Sequence, residues 1–243
     1  MSQAAIAVRG LCKRFGKRAA VDNLSFEVPT GSVCGFLGRN GAGKSTTLRM
    51  LMNLTDPSAG DALLLGLDSR AHHTELMSRV GYVAEAPILY DWMTVRELVR
   101  FTSRFYKKWN APAVDELLRR FGVDERQKVR HLSRGTHAQL ALALAMGNDP
   151  ELLILDEPAT GLDVLVRRDF LESIIQIVQQ EGRTVLLSSH LVHEVERVAD
   201  QIVVIEEGRL RVSARLDELK QQAGQSLEEI FVGLVGRREE ARQ

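Results

Sequence analysis

Short, nearly unbroken apolar runs alternate along this chain with longer stretches whose apolar residues recur every three or four positions. Ser32–Leu37 (SVCGFL), Leu152–Asp156 (LLILD), Thr184–Ser189 (TVLLSS) and Ile202–Glu206 (IVVIE) are runs of the first kind. Strands covered on both faces read this way, because neither face has to alternate with solvent. The rhythm predicts βαβ units and a mainly parallel sheet. Near the N-terminus, AIAVRG and NLSFEVPTG end in turn residues and predict an antiparallel β subdomain.

The helical pattern dominates the middle of the chain. MTVRELVRFTSRFYKKW opens with Thr94 and Glu97 at the spacing of a capping box and continues with helical period. APAVDELLRRFGV has Pro112 near its start and Gly122 beyond its end, which predicts a second helix. Residues 91–146 are therefore expected to form a helical subdomain inserted into an α/β core of residues 1–90 and 147–215. Residues 216–243 form a charged, amphipathic tail, and 1–243 as a whole reads as one domain.

Composition narrows the function classes. Lys+Arg and Asp+Glu are both 32, so no net field draws the chain to nucleic acid, and an anionic ligand must be held by local geometry. Cys12 and Cys34 are the only cysteines, too few for a disulfide framework, and a reducing compartment is expected. MSQAAIAVRG lacks the basic flank and apolar core of a signal peptide. The longest apolar run, Leu140–Met146, has seven residues, far short of the ~20 that span a bilayer.

The clearest chemistry lies in GFLGRNGAGKSTTLRML, where Gly38, four residues, Gly43, Lys44 and Ser45 stand between a strand and a helix. Backbone N–H groups of Gly38, Arg39, Asn40, Gly41, Ala42 and Gly43 can turn inward there and, with the helix N-terminus, cradle phosphates. Lys44 would reach the β- and γ-phosphates, Ser45 would ligate Mg²⁺, and Thr46 would sit against the α-phosphate. Downstream, LLILDEP ends a strand on two acids. Asp156 suits a second Mg²⁺ contact and Glu157 suits the acceptor of a proton from the attacking water. His190 follows TVLLSS, where it could donate to the γ-phosphate and align Glu157 with the water. The other histidines, at 72, 73, 131, 137 and 193, are expected to be solvated.

The order of phosphate loop, helical insert, LSRG, LLILDEP, GLD and SSH resembles the ATP-binding subunit of an ABC transporter, from Val8 to about Leu210. The resemblance implies a P-loop NTPase fold of ABC type and two subunits, identical or different, closed on two ATP and Mg²⁺. It places Phe15 against adenine. It brings Ser133 and Gly135 of one subunit to the γ-phosphate held by the other, and turns Asp163 toward the opposite subunit. It also implies an integral membrane permease as a separate chain, with this one cytoplasmic and peripheral on the inner face of the membrane. Relatives that act on DNA or ribosomes carry coiled-coil inserts or tandem cassettes, so no nucleic acid partner is expected. The tail SLEEIFVGLVG resembles that of bacterial exporter subunits and favours export.

Two positions depart from the family pattern. Glu85 stands where the family usually has Gln, keeping an acceptor oxygen but adding negative charge; it is expected to act as a ligand on the metal side. In His131–Thr136 (HLSRGT), Arg134 and Thr136 replace the usual Gly and Gln. This stretch reads either as a variant signature or as a capped helix start. Together the departures leave an alternative open, an ATP-gated regulatory module with little or no hydrolysis.

Overall fold

A computed structural model describes residues 4–236; residues 1–3 and 237–243, the latter including the end of the expected tail, lie outside the described residues. The first two strands, β1 (Ala4–Phe15) and β2 (Arg18–Pro29), form an antiparallel hairpin. Strand β3 (Val33–Leu37) leads into α1 (Lys44–Leu51), followed by β4 (Ala59–Leu64), β5 (Leu67–Asp68), α2 (His73–Leu76) and β6 (Val80–Val83). The middle holds α3 (Val95–Ser103), α4 (Ala111–Arg120), a 3₁₀ turn at Val129–His131 and α5 (Arg134–Met146). The chain then runs through β7 (Leu152–Asp156), α6 (Val164–Glu181), β8 (Thr184–Ser189) and α7 (Val192–Glu196). It ends with β9 (Gln201–Glu206), β10 (Arg209–Arg215), α8 (Leu216–Ala223) and α9 (Leu227–Gly236).

Two sheets result. Four antiparallel strands run in the order β2-β1-β4-β5, and six run in the order β10-β9-β3-β8-β7-β6, all parallel except β10. The expected α/β fold, a mainly parallel core with an N-terminal antiparallel sheet, is what forms.

The unbroken apolar runs are explained by burial on both sides. In β7, Leu152 and Ile154 join a core with Phe36, Phe26, Leu48 and Val203, between the large sheet, α1 and the small sheet. Leu153 and Leu155, pointing the other way, join Leu142, Phe170 and Ile174 of the helices opposite. Strand β8 divides in the same manner, with Leu186 on the first side and Val185 and Leu187 on the second.

The helix expected from Thr94 to Trp109 stops early. Thr94 caps α3 with the full reciprocal box, but the helix ends at Ser103. Beyond it Tyr106 packs on Trp109 at 5.7 Å. A Cβ at Gly147 would overlap the Trp109 ring, and the Asn110 N–H donates to the Gly147 carbonyl. The chain has to leave the helix to seat that ring on the glycine. Strands β4 and β10 are also present; RLRVSAR, at the sheet edge, mixes charged and apolar positions and carries little strand signal.

Candidate functional site

Parallel register brings the chemical groups to one edge. Leu37 pairs with Ser189 across β3 and β8, and Asp156 pairs with Ser188 across β7 and β8. The loop after β3, Asp156 and Glu157 after β7, and His190 after β8 therefore leave the sheet side by side, at the carboxyl ends where open α/β sheets bind ligands.

The loop wraps into a compact turn. The Ala42 N–H donates to the Arg39 carbonyl, and the Gly208 N–H donates to the Ala42 carbonyl. Gly43 sits at φ 105°, and a Cβ there would lie 2.5 Å from the Ala20 carbonyl oxygen, so only glycine fits before α1 starts at Lys44. A cavity of about 530 Å³ opens above it, lined by Phe15, Arg18, Asn40, Lys44, Ser45, Thr46, Glu85 and Glu157 among others. Gly41 and Gly43 also line it, whereas Gly38, Arg39 and Ala42 shape the loop behind. Phe15 is 56% exposed at the mouth, with its ring outside the core of the hairpin. Lys13 Nζ lies 5.1 Å from the centre of its ring.

The two acids occupy different environments. Lys44 Nζ lies 3.0 Å from Glu157 Oε1 and also donates to the Gly38 carbonyl at 2.7 Å. His190 Nδ1 lies 2.8 Å from Glu157 Oε2, and Thr160 Oγ1 donates to the same oxygen at 2.8 Å. Burial alone would raise the Glu157 carboxyl; the Lys44 charge, helped by hydrogen bonds from Lys44, Thr160 and His190, outweighs it and holds the group below its usual range. Glu157 also sits at φ 47°, a left-handed conformation unusual for a side chain of this size. Asp156 Oδ1 accepts from Ser45 Oγ at 3.0 Å and Ser188 Oγ at 2.8 Å. Burial raises this carboxyl, only partly opposed by those hydroxyls, and the nearby Glu85 and Glu157 charges raise it further.

Ser45, on the cavity wall, and Asp156, buried directly behind it, form an oxygen-only pair, the donor chemistry that suits a hard divalent cation. Among the described residues no three His, Cys, Asp or Glu side chains are arranged to hold a metal by themselves. Phosphate and water oxygens would have to complete the shell, as Mg²⁺ sites at nucleotides do. Glu85 is exposed on the same cavity.

Three expected site residues lie elsewhere. Ser133 is exposed and caps α5, its Oγ accepting from the Thr136 N–H at 3.1 Å and pairing with Thr136 Oγ1 at 2.8 Å. A Cβ at Gly135 would sit 2.7 Å from Val166, so packing on α6 by itself demands glycine there. Asp163 Oδ1 accepts from the N–H groups of Leu165 and Val166, capping α6. None of the three lines the cavity of its own chain. The Arg134 side chain, a cation that could serve a phosphate or face solvent, is exposed and lies directly against Gly161.

Sequence reading missed several groups. Ser188 donates to Asp156 and accepts from the Glu157 N–H, fixing both acids from the neighbouring strand. Arg167 donates to the Leu162 carbonyl at 2.8 Å and pairs at 3.0 Å with the buried Glu194, which accepts from Ser189 Oγ beside His190. The arginine and glutamate look like ordinary helix-surface residues in sequence, and only the fold shows them meeting. Of the histidines expected to be solvated, His73 and His137 are half-buried, and burial lowers the His137 pKa.

Comparison with known proteins sets this geometry in a family context. A family model described as ABC transporter matches residues 21–160, more than half of the chain. The bacitracin transport ATP-binding protein BcrA of Bacillus licheniformis is 35% identical over 225 residues, covering 92% of this chain and 74% of that one. The Nod factor export ATP-binding protein I of Burkholderia orbicola (strain AU 1054) is 42% identical over 216 residues, covering 86% and 70%. A solved structure of the ATP-binding subunit of an ABC transporter superposes with a TM-score of 0.85 at 28% identity, covering 95% of this chain and 99% of that one.

Proposed function

The chain belongs to the ABC transporter family, as an ATP-binding ATPase subunit, and from that premise we propose that it hydrolyses ATP as half of a dimer to drive export through a separate membrane permease. The observation that carries the mechanism is the meeting of Lys44, Glu157 and His190 beside the Ser45–Asp156 pair.

Lys44 and the loop N–H groups bind the β- and γ-phosphates, and the phosphates compete with Glu157 for the Lys44 charge. Glu157, freed of part of that neutralisation, accepts a proton from the attacking water. His190 holds the carboxylate through Nδ1, leaving Nε2 to face the γ-phosphate; with Nδ1–H given to Glu157, donation from Nε2 requires the doubly protonated ring. Ser45 and Asp156, with Glu85 nearby, would hold Mg²⁺, which neutralises charge on the phosphates. Phe15 offers an exposed ring for adenine.

The dimer is supported by what the cavity lacks. Ser133 and the N-terminus of α5 face outward, as a group meant for a neighbour's phosphate would. Permease docking is supported by an apolar groove of about 380 Å³ between the sheet edge and the helical segment 91–146, lined by Leu54, Met77, Pro87, Ile88, Tyr106 and Leu144 among others. Ile88 is 98% exposed there, a cost that a partner helix would relieve. No helix among the described residues is long and apolar enough to cross a membrane, so a spanning helix would have to come from that partner. Export is supported by the exporter named among the relatives.

The shared site is tested by mixing a Ser133→Arg chain with a Lys44→Ala chain. Each alone is expected to be inactive, and the mixture should regain part of the ATPase activity from one intact composite site. No recovery, under conditions where the parent dimerises and hydrolyses, would overturn the shared-site reading.

A further inference from the structure

Away from the nucleotide pocket, Tyr90, Trp92, Phe101 and Phe105 form a continuous ridge of aromatic rings. Ring centres are 6.0 Å apart for Tyr90–Trp92, 5.2 Å for Tyr90–Phe101 and 5.0 Å for Phe101–Phe105. Helix α3 sends Val95 and Leu98 into the core, and Phe101, half-buried at the edge of that face, carries the ridge from the core out to the exposed rings. Trp92 is 59% exposed and Phe105 71%. Neither these residues nor Tyr90 and Phe101 line the groove assigned above to the permease.

The charges around the ridge are mainly basic. Residues 90–109 hold five basic and two acidic side chains in a chain whose formal net charge is zero. Arg100, Arg104, Lys107 and Lys108 are exposed and form no ion pair with a described residue. Of the remaining charges, Arg96 pairs with Glu125, and Glu97 accepts from the Thr94 N–H and hydroxyl at the helix cap. Asp91 and Glu97, whose carboxylate stays charged and acts on Arg100, oppose these cations only in part, and the segment remains net basic.

Exposed Trp and Tyr combined with unpaired Arg and Lys is the composition found where protein meets a bilayer. The rings settle at the boundary between headgroup and acyl chain, and long basic side chains keep their heads among anionic phosphates. A protein partner would be expected to meet a ridge of this kind with charges set singly against each cation. A uniformly anionic surface instead matches a collar whose net charge is basic.

We propose that the Tyr90–Trp92–Phe101–Phe105 ridge and its collar of Arg100, Arg104, Lys107 and Lys108 bind the anionic surface of a lipid bilayer. This contact is made by the chain itself and does not depend on the permease-docking reading. It gives the helical segment a second hold on the membrane plane, beside the groove.

The test is co-sedimentation of the purified full chain with phosphatidylcholine vesicles, with and without phosphatidylglycerol. Binding is expected with phosphatidylglycerol only, and is expected to weaken as salt is added. Each basic residue at an anionic surface strengthens partitioning by about fivefold, so R104E/K107E should lower the partition coefficient by more than about twentyfold. W92A/F105A should weaken binding while leaving its salt dependence in place. ATPase activity, measured in parallel, should stay at the parent level in both variants, showing that they fold. Absence of binding, equal binding to both vesicle types, or binding unmoved by either variant would overturn the proposal. So would loss of a co-purifying membrane protein in these variants while vesicle binding stays unchanged, because the ridge would then be a protein contact.

Discussion

Lys44 Nζ and Glu157 Oε1 stand 3.0 Å apart, both almost wholly buried, so the phosphate-binding cation and the proton acceptor of the same reaction neutralise each other. Glu157→Gln removes the acceptor and releases Lys44 at once. Turnover is expected to fall by roughly 10²–10⁴-fold, the usual worth of a positioned base, while nucleotide affinity holds or rises. Phosphate release and titration with a fluorescent ATP analogue measure the two separately. A variant that kept more than about a tenth of parent turnover would remove Glu157 from the role of base.

The backbone of Glu157 carries its own prediction. Holding a glutamate at φ 47° costs on the order of 1 kcal/mol or more, which glycine does not incur. Glu157→Gly also removes a carboxylate that Thr160, His190 and Lys44 now hold. Comparison with Glu157→Ala separates the effects, since both lose the carboxylate and only glycine relaxes the backbone. The glycine variant is expected to melt higher than the alanine variant, with both inactive. Equal melting temperatures would show that the conformation is not strained.

Asp156 answers to pH in the opposite sense from Glu157. Burial raises the Asp156 carboxyl, so the folded chain holds that proton more tightly than the unfolded one. Stability from this group is fully present below the ordinary aspartate value and is lost as pH rises through the raised folded value. Glu157, held low by Lys44, contributes stability above the ordinary glutamate value, which is lost as pH falls through its folded value. Asp156→Asn is therefore expected to melt above the parent at neutral pH, with the gap closing under acid conditions, and to hydrolyse little or no ATP. Thermal melts across the acid-to-neutral range check the sign, and a lower melting temperature at neutral pH would contradict it.

Arg167 and Glu194 tie the GLD loop to the strand end that carries His190. Removing one partner leaves the other charge buried, which costs about 3 kcal/mol in such pairs. Burial already raises the Glu194 carboxyl, with Arg167 the main opposing influence. Arg167→Ala should therefore destabilise strongly, and Arg167→Lys should recover most of the melting temperature but less of the turnover, because lysine lacks the fork that reaches both Leu162 and Glu194. Equal recovery of both quantities would mean that the pair serves stability alone.

Much of the fold was legible because β3, β7 and β8 are buried on both faces and leave unbroken apolar runs in the sequence. The cavity-lining residues of the loop were legible for a related reason: glycines, a lysine and hydroxyls at fixed spacing have few other uses between a strand and a helix. Contacts formed across the fold were not legible. Ser188 looks like the end of a strand, and only its position between β3 and β7 sets it against Asp156. Arg167 and Glu194 lie on separate helices, and nothing in either segment names the other. The length of α3 was misread because the Trp109–Gly147 contact overrides a continuing helical period. In the LSRGT stretch, Ser133 and Gly135 each already have a task within their own chain, as cap and as packing site. Sequence could not separate those tasks from a contact with a neighbour.

The register that gathers the chemistry at one edge of the sheet also leaves the opposite edge available for engineering. Gly31 and Gly182, exposed with φ of 75° and 62°, precede β3 and β8 and lie a full strand length from Lys44 and His190, roughly 17–20 Å. An inserted tag or fluorophore there lengthens a turn without shifting the pairing of Leu37 with Ser189 or of Asp156 with Ser188. The same insertion after Leu37 or Asp156 would displace the reacting groups themselves. The sheet thus has one permissive rim and one forbidden rim, and a reporter placed on the first could follow the second during turnover.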